Sequence, residues 1–121
     1  MTFRSGDIVL VPFPFTDLSS SKRRPALLIQ SLGEFEDWLC LPVTSQGFHE
    51  ASLPLHDNNL EGTLPKTSWV RVNRPTVLSE QIMLGRIASV KPDLLSAIQG
   101  GMCRHIGCAG YSVMEPVATY K

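Results

Sequence analysis

Apolar residues in this chain come in short runs rich in Val, Ile and Leu, broken by proline or glycine about every ten residues. That spacing predicts a small barrel or sandwich of short strands. The first run, "DIVLVPF" from Asp7, is apolar on both faces, and Pro12 and Pro14 close it because proline cannot donate to a ladder. "TDLSSSKR" (16–23) is small and polar and reads as a loop. "PALLIQS" (25–31) is continuously apolar at its start, as a fully buried strand would be. "LGEFED" turns the chain, and "WLCLPVTS" (38–45) returns it. Further on, "ASLPL" reads as an edge strand and "HDNNLEG" as a turn. "TSWVRVNRP" (67–75) alternates, with Val70 and Val72 on one face and Trp69, Arg71 and Asn73 on the other. "MLGRIASV" supplies another strand.

One segment has helical chemistry. In "KPDLLSAIQGG", Pro92 suits the first turn, Asp93 suits the positive end of the helix dipole, and Gly100 with Gly101 should stop the helix. Leu94, Leu95, Ile98 and Met102 form its apolar stripe. The tail beyond it, with "YSVMEPV", fits either a last short strand or an extension. The expected class is mainly β with a C-terminal helix, in one domain spanning 1–121, since no repeat, linker or composition shift marks a second.

Composition narrows the function classes. The 11 lysines and arginines balance 11 aspartates and glutamates, so a polyanion must be met by a local basic patch, with no global field to recruit it. "MTFRSGDIVLV" lacks a signal-peptide layout, and no apolar run approaches the roughly 18 residues that span a bilayer, so a cytoplasmic protein without a membrane partner is expected. Cys40, Cys103 and Cys108 are odd in number and lack framework spacing, which fits a reducing cytosol. "CRHIGC" offers Cys103, His105 and Cys108 without either paired CxxC motif, a poor zinc match. Structural or incidental cysteines, no metal and no cofactor are the expectation.

The hairpin of the second and third strands carries the candidate chemistry. A turn centred on Glu34 pairs positions whose numbers sum to 68, which sets Arg24 opposite Thr44. Directly opposed residues that share a face have Cβ atoms about 4.5–5.5 Å apart, although a bulge would shift this register. A guanidinium donates a planar fork of N–H bonds that matches a phosphate, and a neighbouring hydroxyl adds one more. Pro25 and the buried strand after it would hold that guanidinium rigidly at the open end of the hairpin. Lys22 and Arg23 lie on the loop side, where they would guide a nucleic-acid backbone.

"GDIVLVPFPFTD", then "KRRPALLI", then "LPVTS" resembles the MazF/PemK/Kid family of type II toxin–antitoxin ribonucleases. Gly6-Asp7-Ile8-Val9, Arg24-Pro25 and Pro42-Val43-Thr44-Ser45 carry the likeness, and "WVRVNRPTVL", "LGRIASV" and "LLSAI" continue it over about residues 5–100, leaving 101–121 as an extension. The resemblance implies a small SH3-like barrel of the CcdB/MazF/PemK type that dimerises. It also implies metal-independent cutting of single-stranded mRNA by 2′-hydroxyl attack, silencing by a cognate antitoxin, and contact with operator DNA only through the toxin–antitoxin complex.

By the same resemblance Arg24 and Thr44 would hold the scissile phosphate, with Ser45 beside them on the RNA. Arg71 lies on the strand where one branch of the family has a second catalytic arginine. That branch has a carboxylate two residues later as the base; here it is Asn73, whose amide takes no proton at neutral pH. Asp17, in the loop before Arg24, is a substitute base. Trp69 shares the Arg71–Asn73 face and would stack an unpaired base, unless it and Arg71 form a cation–π pair or a dimer contact. His49 and His56 flank the edge strand and read as surface residues rather than bases. Two rivals remain on the same barrel: a gyrase poison like CcdB, whose C-terminal Trp-Gly-Ile this chain lacks, and an inactive RNA- or protein-interaction module.

Overall fold

The computed structural model describes residues 2–13, 22–33 and 35–108. Eight strands are formed: β1 (Asp7–Phe13), β2 (Lys22–Ser31), β3 (Asp37–Thr44), β4 (Ser52–Leu55), β5 (Leu60–Gly62), β6 (Ser68–Arg71), β7 (Thr76–Ser79) and β8 (Gly85–Val90). Helix α1 (Pro92–Ile106) follows. The strands run in the order β4-β6-β3-β2-β1-β8-β5, with β7 also on β3, and every pairing is antiparallel. The sheet curls into a nearly closed barrel, mostly β as expected.

Strands β1, β2 and β3 are apolar on both faces because both faces are covered. Ile8, Leu27, Ile29, Leu41 and Val43 point into the main core, which Ile98 and Met102 of α1 complete. Val9, Val11, Ala26, Leu28 and Cys40 face the other way into a second cluster closed by Phe3 and Trp38. Burial there holds the Cys40 thiol protonated, its pKa pushed up to about 12 against a smaller lowering by a hydrogen bond from the Leu78 backbone.

The hairpin register survives in part. Ala26↔Pro42, Leu27↔Leu41 and Leu28↔Cys40 all obey the expected sum, and the ladder then shifts by one residue between Leu28 and Gln30. The irregularity thus falls on the turn side, away from Arg24 and Thr44.

Several boundaries differ from expectation. β2 starts at Lys22, so Lys22 and Arg23 belong to the strand and pair with Phe13 and Pro12 of β1. β1 continues through Pro12, which is tolerated because β8 pairs β1 only over Asp7–Leu10. β5 forms inside a segment read as a turn, and β7 inside one without a strand pattern. The helix passes straight through Gly100 and Gly101 to Ile106, where Gly107 caps it at φ 79°. The double glycine is buried, and a Cβ on Gly101 would sit 3.5–3.6 Å from Leu53 and Val72. Gly101 thus packs on Leu53 and Val72 at ordinary contact distance, and the double glycine does not end the helix. Cys103 and Cys108, expected as structural or incidental thiols of a reducing cytosol, are joined in a disulfide across that cap. "YSVMEPV" lies outside the described residues.

A polar cluster fixes the start of β1. Asp7, 1% exposed, accepts Arg4 N–H through Oδ2 (2.8 Å) and Ser89 Oγ–H through Oδ1 (2.7 Å), with Arg86 Nη1 3.8 Å away. Gly6, at φ 98°, donates to Leu28 O and accepts from Val90 N–H, tying the turn to two strands.

Candidate nucleic-acid interface

Two adjoining cavities open at the end of the β2–β3 hairpin. The first, about 390 Å³, is lined by Arg24, Thr44, Gln46, His49, Arg71 and Arg74 among others. The second, about 430 Å³, is lined by Arg23, Arg24, Thr44, Ser45, Lys66 and Ser68 among others. Arg24 and Thr44 line both, together with Pro25, Val43 and Gln46, so they form the wall between the two. Neither cavity is lined by a carboxylate among the described residues. A chain of zero net charge therefore gathers Arg23, Arg24, Lys66, Arg71 and Arg74 around one cleft. That is the local patch a polyanion needs.

Each member is placed by its strand. Arg24 faces Val11 across the β1–β2 ladder, with the fixed φ of Pro25 next to it. Thr44 ends β3 opposite Trp69 of β6. Its Oγ1 accepts the Gln46 N–H at 3.1 Å, so its own O–H remains available to donate outward. Arg71 ends β6 opposite Ser52 of β4. Arg71 Nε, Ser52 Oγ and Asn73 Oδ1 are buried without a hydrogen-bond partner among the described residues.

The expected site residues divide into three groups. Arg24, Thr44, Arg71, Arg23 and Ser45 come together around the cleft. Asn73 lines neither cavity. Trp69 lines neither as well; its indole supports the loop after β3, since a Cβ on Gly47 would fall 2.6 Å from Trp69 Cζ2. Lys22 lies in β2 opposite Phe13, and Asp17 falls outside the described residues.

His49 lines the first cavity with Arg24, Thr44 and Arg71, where the sequence reading had put a surface residue. No periodicity signals this, because a loop carries the side chain back over the strand ends. Arg74 and Lys66 were likewise missed, each sitting in a turn whose path depends on the barrel.

No curated protein matches the chain by sequence. Solved structures match it by fold. MazF in a MazE–MazF complex from Deinococcus radiodurans aligns with TM-score 0.74 at 19% identity, covering 90% of this chain and 99% of that one. An endoribonuclease bound to its cognate antitoxin from a mycobacterial species gives TM-score 0.70 at 12% identity, covering 88% and 96%. The toxin MazF-mt6 of Mycobacterium tuberculosis gives 0.64 at 13%, covering 84% and 96%. The family model for the PemK-like, MazF-like toxin of type II toxin–antitoxin systems matches residues 4–106, which takes in the whole barrel and α1. The chain belongs to this PemK/MazF-like family of type II toxin–antitoxin toxins.

Proposed function

We propose that the protein is an endoribonuclease toxin that cuts single-stranded mRNA, sequence-selectively and without a metal, at a phosphate seated between Arg24 and Thr44. The observation that carries this reading is the wall that these two residues make between two cationic cavities free of described carboxylates. A strand of RNA laid across the wall has one nucleotide on each side and its phosphate at the fork of Arg24. The 2′-oxygen of one nucleotide attacks the adjacent phosphorus, the O2′–P bond forms, and the P–O5′ bond breaks. The 2′-hydroxyl loses its proton and the departing 5′-oxygen gains one, leaving a 2′,3′-cyclic phosphate and a 5′-hydroxyl.

Arg24 and the Thr44 hydroxyl donate to the phosphate oxygens, where negative charge builds in the transition state; preorganised donors of this kind are each worth about 10²–10³ in rate. Arg71 supports the same charge from the first cavity. Arg23, Lys66, Lys22 and Ser45 hold the flanking backbone. In the same reading the toxin acts in the cytoplasm as a homodimer in one domain, is silenced by a cognate antitoxin, and reaches operator DNA only within that complex. Its likeness to MazF structures bound to MazE supports the antitoxin partner.

The test is incubation of purified protein with a long single-stranded RNA in EDTA, with the cut sites and end groups mapped. Cuts at a limited set of sequences, ending in cyclic phosphate, are expected. RNA left whole returns the chain to a binding module, and cuts that appear only on adding a divalent ion remove the metal-free mechanism.

A further inference from the structure

The proposed reaction moves two protons, and the residues at the wall move neither. A guanidinium is not deprotonated in a protein, and a threonine hydroxyl and a glutamine amide, here Gln46, are not bases at neutral pH. Among the described residues lining the two cavities, His49 is the one whose side-chain class changes charge between pH 5 and 8. It shares the first cavity with Arg24, Thr44 and Arg71. His56 lies further out, in a neighbouring cavity with Asp57 and Lys66.

The loop that carries His49 is held at three points, and the Phe48 ring lies against the imidazole. It leaves Thr44, whose Oγ1 accepts the Gln46 N–H. Gly47 then lies on the Trp69 indole at a distance that admits no Cβ. The Phe48 ring, 77% exposed, stands with its centroid 4.6 Å from that of His49, tilted by 34°. Ala51, at φ 56°, turns the chain into β4 while its carbonyl accepts the Val72 N–H at 3.0 Å. An imidazole on a loop fixed this way is preorganised toward the wall, as a proton-transfer group must be.

We propose that His49 is the general base of RNA cleavage, removing the 2′-hydroxyl proton from the nucleotide in the first cavity; this rests on the endoribonuclease reading above. The two cavities flank the phosphate position, and in-line displacement needs attacking and leaving oxygens on opposite sides of phosphorus. With the base in the first cavity, the 5′-oxygen departs into the second, where Lys66 and Arg23 stabilise it and water supplies its proton. The charged groups around the imidazole are Arg24, Arg71 and Arg74 in the cavity and Glu50, the next residue of its own loop.

The experiment is single-turnover cleavage of an RNA oligonucleotide that carries one mapped site, from pH 5 to 8.5, for wild type, His49→Gln and Arg24→Ala. Affinity is measured in parallel with the same oligonucleotide bearing a 2′-deoxy sugar at the cut. Wild-type rates should climb with pH and then level. His49→Gln should lose about 10²–10⁴-fold in rate, lose that climb, and keep its affinity within about threefold. Adding imidazole to His49→Gly should restore part of the rate. A His49→Gln enzyme within fivefold of wild type, with the same pH profile, overturns the role of His49 while leaving the ribonuclease intact. Failure of the wild type to cut any RNA overturns the underlying reading, and the proposal with it.

Discussion

Two arginine environments in this barrel contrast sharply. At the start of β1, the Arg86 guanidinium lies 3.8 Å from a carboxylate that is also hydrogen-bonded to Ser89 and to the backbone of Arg4. At the hairpin end, Arg24, Arg71 and Arg74 line a cavity with no described carboxylate, and Arg71 Nε is buried without a described partner. Buried polar groups left unsatisfied cost about 1–3 kcal/mol each. The fold gives both carboxylate oxygens of Asp7 a hydrogen bond and tolerates that cost beside the cleft, where the proposed function would seat a phosphate. One cluster is closed around a carboxylate, and the other is lined by cations with no carboxylate among the described residues.

The contrast is broken most severely at Arg24. Arg24→Ala should lower RNA cleavage about 10³-fold and abolish growth arrest. The side chain is exposed, so thermal stability should hold. Arg71→Ala should follow with a loss of about 10²-fold in cleavage. A variant of Arg24 that still arrests growth would remove this end of the barrel from the chemistry.

The reverse experiment is Asp7→Ala. It strips Arg4 N–H and Ser89 Oγ of their acceptor in a buried setting and leaves Arg86, half exposed, without its counter-charge. Folding stability in a urea titration should fall by about 3 kcal/mol, with the cleavage rate per folded molecule unchanged. If Asp7→Ala instead kept its stability and lost activity, the two clusters would not be separate in function.

Much of this division was legible in the sequence, and the failures have physical causes. The hairpin register emerged because two apolar strands flank one polar turn; the pairing rule held from Leu28 to Ala26, but the β2–β3 pairs end at Ala26↔Pro42, and Arg24 and Thr44 pair instead with Val11 and Trp69. β5 and β7 are three and four residues long, too short for a period, and exist because β8 and β3 offer them an edge. Gly100 and Gly101 looked like a stop because glycine is a poor helix former, yet burial of Ile98 and Met102 on either side, with Gly101 against Leu53 and Val72, outweighs a propensity of about 1 kcal/mol per residue. His49 was hidden for a different reason. Its position depends on Gly47 lying on Trp69, a contact between residues far apart in sequence that no local pattern encodes.

The smallest effect tests whether the second core cluster is as closed as the Asp7 site. Cys40 is wholly buried in β3, and its Sγ–H donates to Trp38 O. Its folded pKa, about 12, stands above the ordinary thiol value of 9.0, so folding favours the protonated thiol. The contribution is complete below the unfolded value and is lost as pH rises toward the folded one. At pH 10 wild type should be less stable than at pH 8 by about 1 kcal/mol from this group alone. Lysines and tyrosines titrate in the same range, so the quantity to measure is the difference in slope between wild type and Cys40→Ala. Cleavage should not register the substitution, because Cys40 lines neither cavity. Equal slopes for the two proteins, or rapid alkylation of Cys40 in the native state, would mean that water reaches this cluster, and the contrast between a sealed core and an open cleft would narrow accordingly.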